Sequence, residues 1–108
     1  MEGYSMVPKH NPDIIWRIEK RKVIAVEEAL ADGEDVSDSG TVTLILSGMM
    51  HQLNFVGGKI WAHCDGSNSV DNIAALLAEE FDVELNEVHA DVVEFVADLV
   101  GKGWLINA

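Results

Sequence analysis

Four histidines and one cysteine are the side chains in this chain best suited to bind a metal ion or to act as a nucleophile. The histidines are scattered, at His10, His51, His63 and His89. Only His63 and Cys64 are neighbours, and adjacent residues of a helix point about 100° apart. No second ligand follows them at the spacing of a zinc site. The sequence therefore predicts no metal site and no Cys–His nucleophile, and we expect Cys64 to be a small buried hydrophobic residue.

Other motifs that could carry chemistry are incomplete. Gly57-Gly58-Lys59 lacks the upstream glycine and the following Ser or Thr of a phosphate-binding loop. The adjacent carboxylates Glu79 and Glu80 fit a solvated helix surface. No GxSxG or GxGxxG motif occurs. The sequence therefore predicts a protein that is not an enzyme, with no catalytic residues and no cofactor.

Charge argues against two classes of partner. Seven basic residues oppose 19 acidic ones, and the formal net charge is −12. Nucleic-acid binding needs Lys and Arg to neutralise phosphates, and anionic membranes need the same residues. We therefore expect neither partner. From Asp65 to the end, only Lys102 is basic. This acidic half fits either a solvated surface or a docking surface for a basic partner.

The length of 108 residues suits one domain. No apolar run approaches the ~18 residues that cross a bilayer. The first eleven residues lack the order of a secretory signal, so the expected location is the cytoplasm. Pro8 and Pro12 predict an extended tail over residues 1–13, followed by a single domain over 14–108.

The elements that follow the tail are predicted from local patterns. Residues 14–18 form a strand candidate. The segment 19–32 combines β-branched residues with a helix-favouring second half that ends at Gly33, and residues 33–40 form an acidic loop. Residues 42–46 and 49–53 form a hairpin across Ser47-Gly48, with Val42 facing Leu53. Three helices follow, capped by Asn54, Ser69 and Asn86. This order predicts an α+β fold with a small antiparallel sheet.

The last of these helices has a broader apolar surface than one core requires. Val88, Val92, Phe95 and Leu99 form one stripe, which is enough for the core. Val93, Val96, Ala97 and Val100 form a second stripe beside it. Either neighbouring elements cover this second stripe, or it lines a groove. A groove beside the uncharged edge strand of residues 49–53 could accept an extended peptide as an added strand.

An ordered series of residues carries a family resemblance. It begins at Leu53-Asn54 and continues through Gly57, Ile60-Trp61, Cys64-Asp65-Gly66, Ser69-Val70-Asp71-Asn72-Ile73-Ala74, Leu77, Phe81-Asp82-Val83, Asp91-Val92, Phe95, Leu99 and Gly103-Trp104-Leu105. The series resembles the PqqD-like family, the peptide-recognition elements (RiPP recognition elements) of systems that modify ribosomal peptides. The lead-in at residues 8–13 and the insert at about 19–40 resemble the branch that accompanies paired radical SAM/SPASM enzymes of Geobacter-type systems.

The resemblance implies a winged-helix-like fold, with a three-stranded antiparallel sheet followed by three helices. It implies a peptide chaperone that binds the leader of a precursor peptide between the third strand and the third helix, and delivers it to a radical SAM/SPASM enzyme. Carried onto this chain, the peptide-binding residues are Met49, Met50, His51, Gln52, Leu53, Val93, Val96, Ala97 and Val100. The insert leaves the strand count and the sheet edges open.

Two alternatives come from other functional classes. A winged-helix DNA-binding regulator would have a related shape, but Glu87, Glu94 and Asp98 occupy the helix face that should enter the major groove. A homodimerisation or scaffold module could use the same open strand edge to pair with its own copy.

Overall fold

The computed structural model describes residues 6–35 and 40–108. Part of the predicted tail and half of the predicted acidic loop lie outside the described residues. Two compact units make up the chain: Pro12–Gly58, and Lys59–Ala108 with the N-terminal segment up to Asn11. The elements are β1 (Pro8–His10), β2 (Ile15–Ile18), α1 (Lys20–Ala31), β3 (Gly40–Leu46), β4 (Met49–Asn54), α2 (Phe55–His63), α3 (Val70–Phe81), α4 (Leu85–Gly101) and β5 (Leu105–Asn107).

A three-stranded antiparallel sheet, in the order β2-β3-β4, forms the centre of the first unit. The β3–β4 hairpin has the predicted register, with Val42 opposite Leu53 and Leu46 opposite Met49. Ser47 and Gly48 form its two-residue turn with φ angles of 53° and 78°. Positive φ at both positions matches the right-handed twist of the strands, and glycine adopts it without strain. The predicted hairpin is confirmed.

The ambiguous segment after β2 forms helix α1. Its β-branched residues are accommodated in the helix, where Val26 is buried and Ile24 stays exposed. Gly33 has a φ of 78°, and its N–H donates to the carbonyl of Leu30. The left-handed glycine ends the helix as predicted. The described residues therefore form four helices, one more than the predicted three, while the α+β class and the three-stranded sheet are confirmed.

A second, two-stranded sheet joins the two ends of the described chain. β1 pairs with β5, with Pro8 opposite Asn107 and His10 opposite Leu105. Residues 8–10 of the predicted extended tail therefore form a paired strand. Pro8 is tolerated because it is the first residue of its strand. Leu105 is buried in this sheet.

Helix α2 begins as predicted after Asn54, whose side-chain oxygen accepts a hydrogen bond of 2.8 Å from the N–H of Gly57. Ser69 caps α3 in the same way, through the N–H of Asn72 at 3.1 Å. The cap of α4 differs from the prediction. Helix α4 begins at Leu85 after Glu84, so Asn86 lies inside the first turn rather than at the cap.

Apolar side chains of α3 and α4 fill much of the core of the second unit. On α3 the buried residues are Val70, Ile73, Ala74 and Leu77, and on α4 they are Val92, Val96 and Leu99. Within residues 6–35 and 40–108, no helix has the length and apolar character needed to cross a membrane.

Candidate functional site

The side chains that could carry chemistry do not converge in the described part of the chain, where no group of three or more His, Cys, Asp or Glu residues could hold a metal ion. Cys64 is fully buried, and its Sγ donates to the carbonyl of Ile60 at 3.2 Å. Burial raises the pKa of this thiol to about 12. A thiol with so high a pKa is a poor nucleophile, since the thiolate is the reactive form.

His10 and His89 make contacts within the fold. The His10 ring stacks on the Trp61 ring with centroids 4.2 Å apart, and its Nε2 donates to the carbonyl of Trp61 at 2.7 Å. Burial lowers the pKa of His10, partly offset by this hydrogen bond and by Asp65. His89 pairs with Asp71 at 2.7 Å. His51 lies on β4 opposite Leu44.

The candidate site is the outer edge of β4. Within residues 6–35 and 40–108, β3 is the only strand that pairs with β4, so β4 forms one edge of its sheet. Strand β5 pairs with β1. β4 is six residues long, with the sequence MMHQLN, and has neither proline nor a Lys, Arg, Asp or Glu side chain. Such an edge lacks the usual protections against pairing with another chain.

The hairpin register determines which backbone groups point out from this edge. In a hairpin with a two-residue turn, the residues that flank the turn, Leu46 and Met49, exchange both backbone hydrogen bonds. Hydrogen-bonded and non-hydrogen-bonded pairs then alternate along the ladder. Met49, His51 and Leu53 therefore direct their backbone groups toward β3. Met50 and Gln52 direct theirs outward, where an added strand could bind them.

The side chains of β4 alternate between the two faces of the sheet. Leu53 is buried and His51 is partly buried, on the face that carries Val42 and Leu44. Met49 lies on the same face next to the turn and is 62 % exposed. Met50 and Gln52 lie on the opposite face, and Met50 is 67 % exposed. The side chains of the five predicted peptide-binding residues of this strand are therefore divided between the two faces of the sheet, and only two of the five direct their backbone groups to the outer edge.

The predicted second stripe of α4 is only partly accessible. Val96 is 2 % exposed and shares the buried face with Val92 and Leu99. Its assignment to the surplus stripe is wrong. Val96 follows Val92 by one helical turn and therefore lies on the same, buried side of the broad apolar surface. Val93 is partly buried, and Ala97 and Val100 are exposed. The accessible part of the stripe consists of these three residues.

The opposite edge of the sheet differs in length and charge. β2 has four residues, and α1 begins after Glu19. Arg17 Nε donates to Glu19 Oε2 at 2.9 Å, and Thr43 Oγ1 donates to the same oxygen at 3.0 Å. These two hydrogen bonds, led by that from Arg17, lower the pKa of Glu19. A short strand with a charged side chain is a poorer template for strand addition than β4.

The comparisons with known proteins agree with this architecture. The family model described as Coenzyme PQQ synthesis protein D (PqqD) matches residues 29–105. Among curated proteins, no sequence matches the chain.

One solved structure is similar over nearly the whole length. It is the solution NMR structure of the PqqD truncation of PqqCD from Methylobacterium extorquens, which represents a functional, stand-alone recognition element for ribosomally synthesized and post-translationally modified peptides. The TM-score is 0.64 and the identity is 20 %, covering 99 % of this chain and 100 % of that one. This likeness shows the fold. Because the family model spans most of the sequence, the chain belongs to the PqqD family.

Proposed function

We propose that this chain is a non-enzymatic peptide chaperone. It binds the leader of a ribosomally made precursor peptide as an added strand on β4, and presents the peptide to a radical SAM/SPASM enzyme in the cytoplasm. The observation that carries the proposal is the uncharged, six-residue edge of β4, which has no strand on its outer side in the described part of the chain. Membership of the PqqD family supports the same role.

Strand addition provides binding through the backbone. The N–H and C=O groups of Met50 and Gln52 form two hydrogen-bonded pairs with the peptide, and alternate peptide side chains face the two sides of the sheet. Met49 and Met50 supply flexible, polarisable side chains that adapt to different apolar partners. Backbone pairing gives affinity, and the side chains select among leader sequences.

The exposed part of the α4 stripe is the second surface that the proposal assigns to the peptide. Val93, Ala97 and Val100 provide apolar contact area on this helix. The solvent-facing surface of α4 also carries acidic side chains, with Glu87, Glu94 and Asp98 exposed. These charges oppose DNA binding, and they favour a basic segment in the leader or in the enzyme surface.

The contribution of the chain to the modification reaction is tethering. A bound leader holds the remainder of the precursor at a high effective concentration near the enzyme. Iron–sulfur clusters and the radical chemistry belong to that enzyme. The lead-in and the α1 insert support the Geobacter-type branch, in which paired radical SAM/SPASM enzymes are the partners.

An NMR titration tests the proposal. The ¹⁵N-labelled chain is titrated with a synthetic peptide that covers the N-terminal leader of a candidate precursor peptide. We expect the largest shift changes and slowed amide exchange at Met50 and Gln52. Gln52→Pro removes one outward N–H donor and should weaken binding at least tenfold. Changes confined to residues outside β4 and the α4 stripe would refute the site.

The matched control places proline on the other edge of the sheet. Glu19 N–H donates to the carbonyl of Thr41 at 2.8 Å, so alternation along β2 directs the N–H of Ile18 outward. Ile18→Pro should therefore leave the affinity for the leader unchanged. Light scattering at several protein concentrations tests the remaining alternative, a homodimer through β4. A stable dimer that excludes the leader would overturn the chaperone role.

A further inference from the structure

The outer face of the three-stranded sheet carries a row of exposed apolar side chains that runs across all three strands. Ile15 pairs with Ile45, and Ile45 pairs with Met50, so the three share one face. Their exposed fractions are 70 %, 41 % and 67 %. Solvated faces of antiparallel sheets usually carry polar residues, and an uninterrupted apolar row is a departure from that pattern.

The neighbouring row on the same face is polar. Arg17 pairs with Thr43, and Thr43 pairs with Gln52. Arg17 and Thr43 share the carboxylate of Glu19. The side chain of Gln52 lies across Gly40, where a Cβ would come within 2.7 Å of the Gln52 Oε1. The last residues of the two rows on β4, Met50 and Gln52, are also the two whose backbone groups point outward.

We propose that these two rows continue into the bound peptide and thereby set its sequence preference. The peptide residue paired with Met50 is aliphatic or aromatic. The residue two positions away, paired with Gln52, is polar and able to form hydrogen bonds. Directly opposed side chains on one face are the pairs that interact across strands. All described pairs in this sheet are antiparallel, and the added strand follows the same geometry.

This inference rests on the proposed strand addition and adds a two-position recognition pattern to it. Both rows lie within the unit of residues 12–58. The pattern is specific to this chain, because the two side chains that would pair directly with the peptide are Met50 and Gln52. The residue between the two positions faces the other side of the sheet and is left unrestricted by these rows.

A display selection with random 12-residue peptides against the full chain tests the pattern. Enriched peptides should share an apolar residue and, two positions away, a polar one. A selected peptide is then synthesised with Val or Glu at the apolar position and measured against the wild type and Met50→Lys. We expect the wild type to prefer Val and Met50→Lys to prefer Glu, a change of about tenfold in the ratio of the two affinities.

The control substitution is Ile15→Lys, which places the same charge two strands away on the same row and should leave the preference unchanged. Circular dichroism confirms that each variant is folded. If peptides bind through β4, as shown by loss of binding in Gln52→Pro, and Met50→Lys keeps the preference for Val, the recognition pattern is wrong and strand addition stands. If the wild type enriches no peptide, or binding survives Gln52→Pro, strand addition fails and the pattern fails with it.

Discussion

Gly58 on helix α2 lies directly against Val42 on β3. A Cβ at Gly58 would be 2.8 Å from Val42 Cγ2 and 2.8 Å from Thr41 Oγ1. Both neighbours are buried, β-branched side chains with little rotamer freedom. We therefore predict that Gly58→Ala lowers the free energy of unfolding by about 1–3 kcal/mol, despite the better helix propensity of alanine. Urea denaturation followed by circular dichroism measures this change.

Gly101 provides the matched control at the end of α4. A Cβ at this position has no neighbouring atom within 4 Å. Gly101→Ala should be neutral or should stabilise the fold by up to about 1 kcal/mol, because alanine loses less conformational entropy in a helix. Equal effects of the two substitutions on stability would show that contact with β3 does not explain the effect of Gly58→Ala.

The same contact shows how far the sequence could predict the fold. Two glycines inside a helix indicate a close approach, but the partner is a pair of side chains on a strand that precedes the helix. The Ser47-Gly48 hairpin was predictable because its signals are local. The pairing of Pro8 with Asn107 was not, because it joins opposite ends of the chain and no local pattern encodes it.

The candidate site was predictable to a similar extent. The uncharged edge strand was visible in residues 49–53, and so was a surplus of valine on α4. The sequence did not show which valines of α4 are buried, because an apolar surface wider than one core stripe does not reveal which part of it other elements cover. The apolar row across the sheet was missed, since Ile15 becomes a neighbour of Ile45 only once the pairing of β2 with β3 is known.

Cys64 should be protected from thiol reagents in the folded protein. Burial raises its pKa from 9.0 to about 12, which reduces the thiolate fraction at neutral pH about a thousandfold. We expect labelling by Ellman's reagent to follow the unfolded population, slow in buffer and fast in concentrated urea. Rapid stoichiometric labelling of the native chain would contradict the buried position.

His10 should make the stability of the fold depend on pH. Burial lowers the pKa of His10 below the unfolded value of 6.5. The unfolded chain therefore binds a proton more readily, and folding loses stability as the pH falls from 6.5 toward the folded pKa. Above pH 7 this contribution is fully present. We predict that the free energy of unfolding declines between pH 7 and 5.5, as measured by urea denaturation.

The variant His10→Gln tests the origin of that decline. Glutamine keeps a side-chain donor for the Trp61 carbonyl but does not titrate. The variant should be less stable than the wild type at pH 7.5, and its stability should change less between pH 7 and 5.5. If the free energy of unfolding of His10→Gln declines as steeply as that of the wild type, other titratable groups cause the pH dependence.

Val96 and Ala97 are adjacent on α4 but differ in burial. Substitutions at these two positions therefore distinguish an effect on folding from an effect on peptide binding. Val96 is 2 % exposed, so Val96→Asp places a charge in an apolar environment. We expect the free energy of unfolding of this variant to be lower by at least about 3 kcal/mol, which is a large fraction of the stability of a domain this size. Loss of peptide binding by Val96→Asp would therefore reflect unfolding, visible in its circular dichroism spectrum.

Ala97→Asp introduces the same charge at an exposed position of the helix. The variant should stay within about 0.5 kcal/mol of the wild type, because exposed substitutions away from special contacts have small effects. If α4 contributes to the peptide site, its affinity for the leader should fall at least tenfold with the fold intact. Unchanged affinity in a folded Ala97→Asp variant would remove α4 from the site and leave the β4 edge as the binding surface.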